Sequence, residues 1–111
     1  MTVKEIAKEL NLKFYTCEDV ACRKEAHGCY IGDLLSFAMS KVEADNVWIT
    51  IQTNLNIVAV ATLSEAACII ITDGCVPDKL TIDKANEQEM IILGGEISAY
   101  EAAAKLSQLG I

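Results

Sequence analysis

Residues 47–72, VWITIQTNLNIVAVATLSEAACIIIT, decide the fold class of this chain. Val47 to Ile51 and Cys68 to Thr72 are short and rich in β-branched residues, which predicts two strands. The second run is almost wholly apolar, as is typical of a central strand in a parallel sheet. Ile57 to Ala66 lies between them; its first residues also suit an extended chain, but parallel strands need a crossover of about a dozen residues. The stretch therefore predicts a β-α-β unit.

The same alternation of helix and strand continues on both sides of this unit. Thr2 and Glu5 have the spacing of a capping box, as do Ser98 and Glu101. Glu18 to Gly28 is charged and irregular. The predicted flanking elements are a helix after Thr2, a strand over Lys13 to Cys17, a further short strand around Val20 to Cys22, a helix over Gly32 to Glu43 with Asp33 in its first turn, a helix over Asp78 to Gln88, a strand over Met90 to Leu93 and a helix from Ser98 to about Leu109.

This order predicts an α/β fold with three α/β/α layers. The sheet is expected to be parallel or mostly parallel, with about four strands. The 111 residues provide enough chain for one hydrophobic core, so we expect a single domain over residues 1–111.

Composition narrows the classes of partner. The net charge of −7 disfavours binding to nucleic acid and to anionic membranes. The N-terminal residues do not resemble a secretion signal, and the apolar stretches are shorter than the ~20 residues that span a bilayer, so we expect a cytoplasmic protein. A hydrophobic fraction of 52% in so small a chain also predicts a homodimer.

Five cysteines without a C-x-x-C pair favour free thiols over disulfides or a structural zinc site. Cys68 lies within an apolar strand and is expected in the core. Cys17, Cys22 and Cys29 fall within thirteen residues, which leaves open a role in metal binding or redox chemistry. We predict no resident metal or cofactor.

In open α/β sheets ligands bind beyond the carboxyl ends of the strands. The loop after the Val47 strand is rich in amides, which either cap the next helix or bind an anion. Gly74 is expected at positive φ, and Gly94-Gly95 would let a backbone approach a phosphate. The loop Cys17-Glu18-Asp19 is selected by the same rule. The predicted ligand-binding residues are Gln52, Thr53, Asn54, Asn56, Thr72, Asp73, Gly74, Gly94 and Gly95.

No catalytic constellation is apparent. His27 is the only histidine; Asp33 and Cys29 are its conceivable partners, but no third member of a triad is identifiable. The chain contains neither G-x-x-x-x-G-K-[ST] nor G-x-G-x-x-G. We predict no catalytic residues.

Six stretches together carry a resemblance to a known family: Gly28 to Ser36 followed by Met39, Trp48 to Asn54, Asn56 to Ala61, the strand ending in Thr72-Asp73-Gly74, Ser98 to Glu101 and Leu109 to Ile111. They resemble the DRTGG-domain family, and closest are its small stand-alone members in anaerobic bacteria, often encoded near iron-only hydrogenases. The resemblance covers nearly the whole chain. It implies a three-layer α/β/α domain similar to the N-terminal domain of HPr kinase/phosphorylase, a fold that also serves as a regulatory module in CBS-domain pyrophosphatases.

The chain departs from the motif that names this family. The Asp-Arg pair is missing near Ile51-Gln52, and the Thr-Gly-Gly triplet reads Thr72-Asp73-Gly74. The kinase domain of HPr kinase and its phosphate-binding loop are absent, and the family supplies no established catalytic residues. We expect a non-catalytic regulatory domain that senses a nucleotide or other small anionic metabolite, or docks on a partner protein. The alternative is a cysteine-based metal or redox accessory protein of a hydrogenase-type system.

Overall fold

Helices and strands alternate along the chain in a computed structural model that describes all 111 residues. The five strands are β1 (Lys13–Phe14), β2 (Cys29–Ile31), β3 (Val47–Thr50), β4 (Cys68–Ile71) and β5 (Ile92–Gly94). The six helices are α1 (Val3–Glu9), α2 (Glu18–Ala21), α3 (Leu35–Lys41), α4 (Asn56–Leu63), α5 (Lys79–Glu87) and α6 (Ala99–Gln108).

All five strands form one sheet in the order β1-β5-β4-β3-β2. The strands from β2 to β5 are parallel, and β1 pairs with β5 in the antiparallel direction. Trp48 of β3 lies in register with Tyr30 on one side and Ile69 on the other. The predicted mostly parallel sheet is therefore confirmed, but it has five strands where about four were predicted.

The additional strand is β2, whose residues lie between the irregular stretch Glu18 to Gly28 and the helix predicted from Gly32 and were assigned to no element. Gly32 N–H donates to the carbonyl of Ile49 at 3.1 Å and so continues the β2–β3 ladder past Ile31. For this reason α3 begins at Leu35 rather than at Gly32. The strand predicted around Val20 to Cys22 was wrong, because these residues form the second half of α2 and its C-cap.

Two helical layers enclose the sheet, as the predicted α/β/α architecture requires. Because the parallel strands follow chain order, the crossover helices α3, α4 and α5 pack on one face; α1, α2 and α6 pack on the other. Trp48 and Cys68 are fully buried on opposite faces of the sheet, so the prediction that Cys68 lies in the core is confirmed.

The predicted helix caps are present. Thr2 Oγ1 accepts from Glu5 N–H at 3.2 Å, and Glu5 Oε1 accepts from Thr2 N–H at 2.9 Å, a bond that lowers the pKa of Glu5. Ser98 Oγ accepts from Glu101 N–H at 3.1 Å. None of these helices combines the length and apolar character needed to cross a membrane.

Candidate functional site

Three of the predicted loops meet at the carboxyl ends of β3, β4 and β5, which we call the carboxyl edge. The carbonyl of Thr53 accepts from Asp78 N–H at 3.1 Å, joining the loop after β3 to the start of α5. Gly74 N–H donates to the carbonyl of Gly95 at 2.9 Å, joining the loops after β4 and β5. The nine predicted residues therefore lie along one edge of the sheet.

The loop Cys17-Glu18-Asp19 does not belong to this edge. Because β1 is antiparallel, the chain leaving it lies at the amino ends of the parallel strands. Thr16 marks this position, since its hydroxyl donates to the carbonyl of Met90, just before β5, at 2.6 Å. The rule for parallel strands thus selected the wrong end of the sheet for this loop.

The amides after β3 are engaged with one another. Gln52 Nε2 donates to the carbonyl of Asp33 at 3.0 Å, and Asn54 Nδ2 donates to Gln52 Oε1 at 3.1 Å. Asn54 Oδ1 in turn accepts from Asn56 N–H at 2.9 Å. These bonds order the loop and start α4, which leaves the exposed Asn56 side chain without an intramolecular hydrogen bond.

Asp33 is an organising residue that the sequence reading placed in a helix. Its Oδ1 accepts from Thr50 Oγ1 at 2.8 Å and from Ile51 N–H at 2.9 Å. The carboxylate therefore links the loop after β2 to the end of β3. A polar side chain directly after a strand is a sequence signal for a residue of this kind. The signal could not be used at Asp33 because β2 was not recognised as a strand.

The turn after β4 brings carboxylates to the edge. Asp73 and Gly74 have φ values of 59° and 71°, so the expected positive φ at Gly74 is confirmed. Buried Thr72 donates its hydroxyl to Asp73 Oδ2 at 2.8 Å. Glu96 Oε2 lies 2.7 Å from the position that a Cβ on Gly74 would take. An anion at this turn would therefore meet two carboxylates.

The glycine pair after β5 has mainly a packing role. Gly94 is buried, and a Cβ there would lie 2.5 Å from Tyr15 Cε2 and 3.2 Å from the carbonyl oxygen of Ile71. A Cβ on Gly95 would lie 3.3 Å from Leu12 Cδ2. The close approach that Gly94 permits is to the ring of Tyr15.

An open groove of about 510 Å³ lies beside Gly95, between the C-terminal end of α1 and the start of α6. Its volume is within the range of small-molecule sites, ~300–1,000 Å³. Its lining combines apolar side chains, two carboxylates and one amine. The lining residues are Leu10, Asn11, Leu12, Gly95, Glu96, Ile97, Glu101 and Lys105.

Sequence reasoning missed this groove except for Gly95, because its walls come from opposite ends of the chain. The groove lies where successive helices pack on opposite faces of the sheet. The helix that follows β4, α5, packs on one face, and the helix that follows β5, α6, packs on the other. Such switch points are the usual place for ligands in open α/β sheets. Lys105 forms no ion pair within the chain.

The cysteines do not form a cluster with other ligating side chains. No group of three His, Cys, Asp or Glu side chains is arranged to hold a metal ion. Burial raises the pKa of Cys17, which disfavours the thiolate, the form that carries out nucleophilic attack. Cys22 and Cys29 are exposed.

No protein-family model matches the chain, and no curated protein matches it in sequence. Its architecture is similar to that of a solved regulatory region. That structure contains the CBS and DRTGG domains of the regulatory region of Clostridium perfringens pyrophosphatase, complexed with the activator diadenosine tetraphosphate. The TM-score is 0.76 at 15% sequence identity, over 96% of this chain and 46% of that chain. This chain therefore spans about half of the pyrophosphatase region, and the likeness establishes the fold.

Proposed function

We propose that this chain is a non-catalytic regulatory domain that binds a nucleotide or a related phosphorylated metabolite. The observation that carries the proposal is the likeness of nearly the whole chain to a regulatory region that was solved with a dinucleotide activator. The sequence resemblance to DRTGG domains points the same way. The single-domain organisation, the cytoplasmic setting and the homodimer predicted from the sequence belong to this proposal.

The groove between α1 and α6 is the proposed effector site. Its one amine, Lys105, has no carboxylate partner and is available to a phosphate. Glu96 and Glu101 are suited to accept hydrogen bonds from ribose hydroxyls and would repel a bare anion. Leu12 and Ile97 supply apolar contact for a base. This combination favours a nucleotide over inorganic phosphate.

The amide-rich loop after β3 is proposed as a second binding surface on the same carboxyl edge. Thr53 and Asn56 have side chains that form no hydrogen bond within the chain, whereas Gln52 and Asn54 hold the loop in place. An effector in the groove and a docked protein at Asn56 would share the carboxyl edge. Protein docking at this loop is the alternative if no metabolite binds.

A thermal-shift comparison tests the effector site. AMP, ATP, diadenosine tetraphosphate and inorganic phosphate are added separately to the wild type, to Lys105→Met and to Lys8→Met, an exposed lysine of α1 outside the groove. A ligand that binds only the native state at 100 times its Kd stabilises it by about 2.7 kcal/mol. We expect a shift with at least one nucleotide, none with phosphate, and loss of the shift in Lys105→Met alone.

Two other results would change the proposal. No shift with any nucleotide would contradict effector sensing and leave docking through Asn56 as the function to test by pull-down with wild type and Asn56→Asp. An equal loss of the shift in both lysine variants would place the ligand outside the groove. The cysteine-based alternative has a separate test, metal analysis of anaerobically purified protein, in which stoichiometric metal would support it.

A further inference from the structure

Strand β2 forms one edge of the sheet, and its outward backbone groups can be assigned. The carbonyl of Gly28 accepts from Val47 N–H at 2.9 Å, and Gly32 N–H donates to the carbonyl of Ile49 at 3.1 Å. In a parallel ladder alternate residues of a strand bond to the same neighbour, so Tyr30 also faces β3. The N–H and C=O groups of Cys29 and Ile31 therefore point away from the sheet.

The two edges of the sheet differ in how they are protected. Edge strand β1 has only two residues, and Lys13 lies on it with its ammonium 4.8 Å from the centre of the Tyr15 ring. A charged lysine and a short strand are common protections against pairing with another chain. Strand β2 consists of Cys29-Tyr30-Ile31 and has no charged residue or proline. Of the two edges, β2 is the one left open to another strand.

Exposed apolar side chains surround this open edge. Ile31 is 48% exposed, Leu34 61%, Phe37 59% and Ile51 48%. Leu34 and Phe37 lie one helical turn apart, and Ile51 is held beside the β2 loop by its bond to Asp33. Ile31 is in register with Ile49 and so lies on the face of the sheet that carries α6, whereas α3 with Leu34 and Phe37 packs on the other face. Exposed apolar side chains therefore flank the open edge on both faces.

Charge favours a second copy of this chain as the occupant. A chain with a net charge of −7 repels itself over most of its surface. Residues 28–40 contain a single charged side chain, Asp33, and its carboxylate is already bonded to Thr50 and Ile51. The β2 edge is thus a place where two copies can approach with little repulsion.

We infer that two copies associate by antiparallel pairing of their β2 strands about a two-fold axis at Tyr30. Cys29 of each copy then exchanges two hydrogen bonds with Ile31 of the other, and the two sheets join into one of ten strands. An isologous contact of this kind is closed and self-complementary. The inference rests on the homodimer that is part of the proposed function, and it identifies the β2 edge as the surface through which the two copies associate.

Sedimentation velocity of two charge variants tests this surface. Ile31→Lys puts a charge at the edge, and Leu63→Lys puts one at a more exposed apolar position on α4, 71% exposed. We expect a dimer for wild type and Leu63→Lys, and a dissociation constant at least 100-fold higher for Ile31→Lys. A monomeric wild type, or equal behaviour of the two variants, would overturn the inference.

A disulfide at the axis tests the register. In a Cys22→Ser, Cys29→Ser background, Tyr30→Cys would face its own copy as a non-hydrogen-bonded antiparallel pair, with Cα atoms ~4.5 Å apart, within the range a disulfide bridges. We expect oxidation to link Tyr30→Cys into dimers and Leu63→Cys to stay unlinked. A wild-type dimer without this link would mean a different interface. Mass is measured without nucleotide, so failure here is distinct from failure of effector binding.

Discussion

The Asp33 carboxylate accepts a hydrogen bond of 2.8 Å from the hydroxyl of Thr50, a residue that is only 2% exposed. The same oxygen accepts from Ile51 N–H at 2.9 Å. One side chain thus satisfies two donors at the end of β3 and fixes the path of the chain between β2 and α3. The order of the neighbouring Gln52 loop depends on this contact, because Gln52 donates to the carbonyl of Asp33.

Asp33→Ala is expected to destabilise the fold by about 2 kcal/mol, because it leaves the Thr50 hydroxyl and the Ile51 N–H without their acceptor. Chemical denaturation of Asp33→Ala, Thr50→Val and the double variant measures this. The two substitutions should couple, so that the double variant loses less than the sum of the single variants. Simple additivity would show that the contact contributes little.

The side-chain hydroxyl of Thr16 takes the place of a backbone hydrogen-bonding partner between β1 and β5. Its buried hydroxyl donates to the carbonyl of Met90 at 2.6 Å and accepts from Ile92 N–H at 2.8 Å. Thr16→Val should cost about 2–3 kcal/mol, since it leaves a donor and an acceptor unpaired. The matched control is Thr62→Val: the Thr62 hydroxyl is buried without a partner, so this change should be neutral or stabilising in urea denaturation. Equal losses in the two variants would contradict this role.

Gly94→Ala should lower the free energy of unfolding by about 1–3 kcal/mol, since the new methyl meets the Tyr15 ring and the Ile71 carbonyl. Gly95→Ala should cost less, because its nearest contact is the flexible end of Leu12. Thermal unfolding of the two variants makes the comparison. Tyr15→Ala combined with Gly94→Ala should recover part of the loss. A greater loss in Gly95→Ala would mean that the packing account is wrong.

Stability should decline in alkali as the buried thiol of Cys68 titrates. Burial raises the pKa of Cys68, which is fully buried, to about 12, from an ordinary value of 9.0. The folded chain therefore keeps this proton at a pH where the unfolded chain has lost it. The stability is fully present below pH 9 and falls as the pH rises toward 12.

Denaturation at a series of pH values isolates the thiol contribution. Cys68→Ala should flatten the decline between pH 9 and 12. Cys22→Ser, at an exposed position at the end of α2, should follow the wild type. Parallel pH profiles for all three proteins would contradict the account, whatever their absolute stabilities.

Part of the candidate site followed from the sequence. Polar residues directly after strongly β-branched strands, such as Asn54 and Asp73, were assigned to the carboxyl edge because β3 and β4 are parallel. The groove could not be found in this way. Lys105 and Leu10 are separated by most of the chain, and only the packing of α6 beside α1 brings them together.

The sequence by itself determined the alternation of helices and strands except at α2 and β2, because the signals for the other elements lie in neighbouring residues. Apolar runs specify β3 and β4, helical spacing and the crossover length specify the helices between strands, and the Thr2–Glu5 box specifies where α1 begins. Each of these signals lies within about a dozen residues, and the structure contains each of these elements, although α3 begins at Leu35 rather than at Gly32.

Only the tertiary structure decided the edges of the sheet. Cys29-Tyr30-Ile31 is too short to show the alternating pattern of a strand. It is a strand because it pairs in parallel with Val47, Trp48 and Ile49 of β3. Lys13–Phe14 runs antiparallel because α1 delivers the chain to the carboxyl end of β5, where Gly94 leaves room for Tyr15. Edge strands gain their stability from a neighbour distant in sequence, so neither their direction nor the surfaces that they create could be read locally.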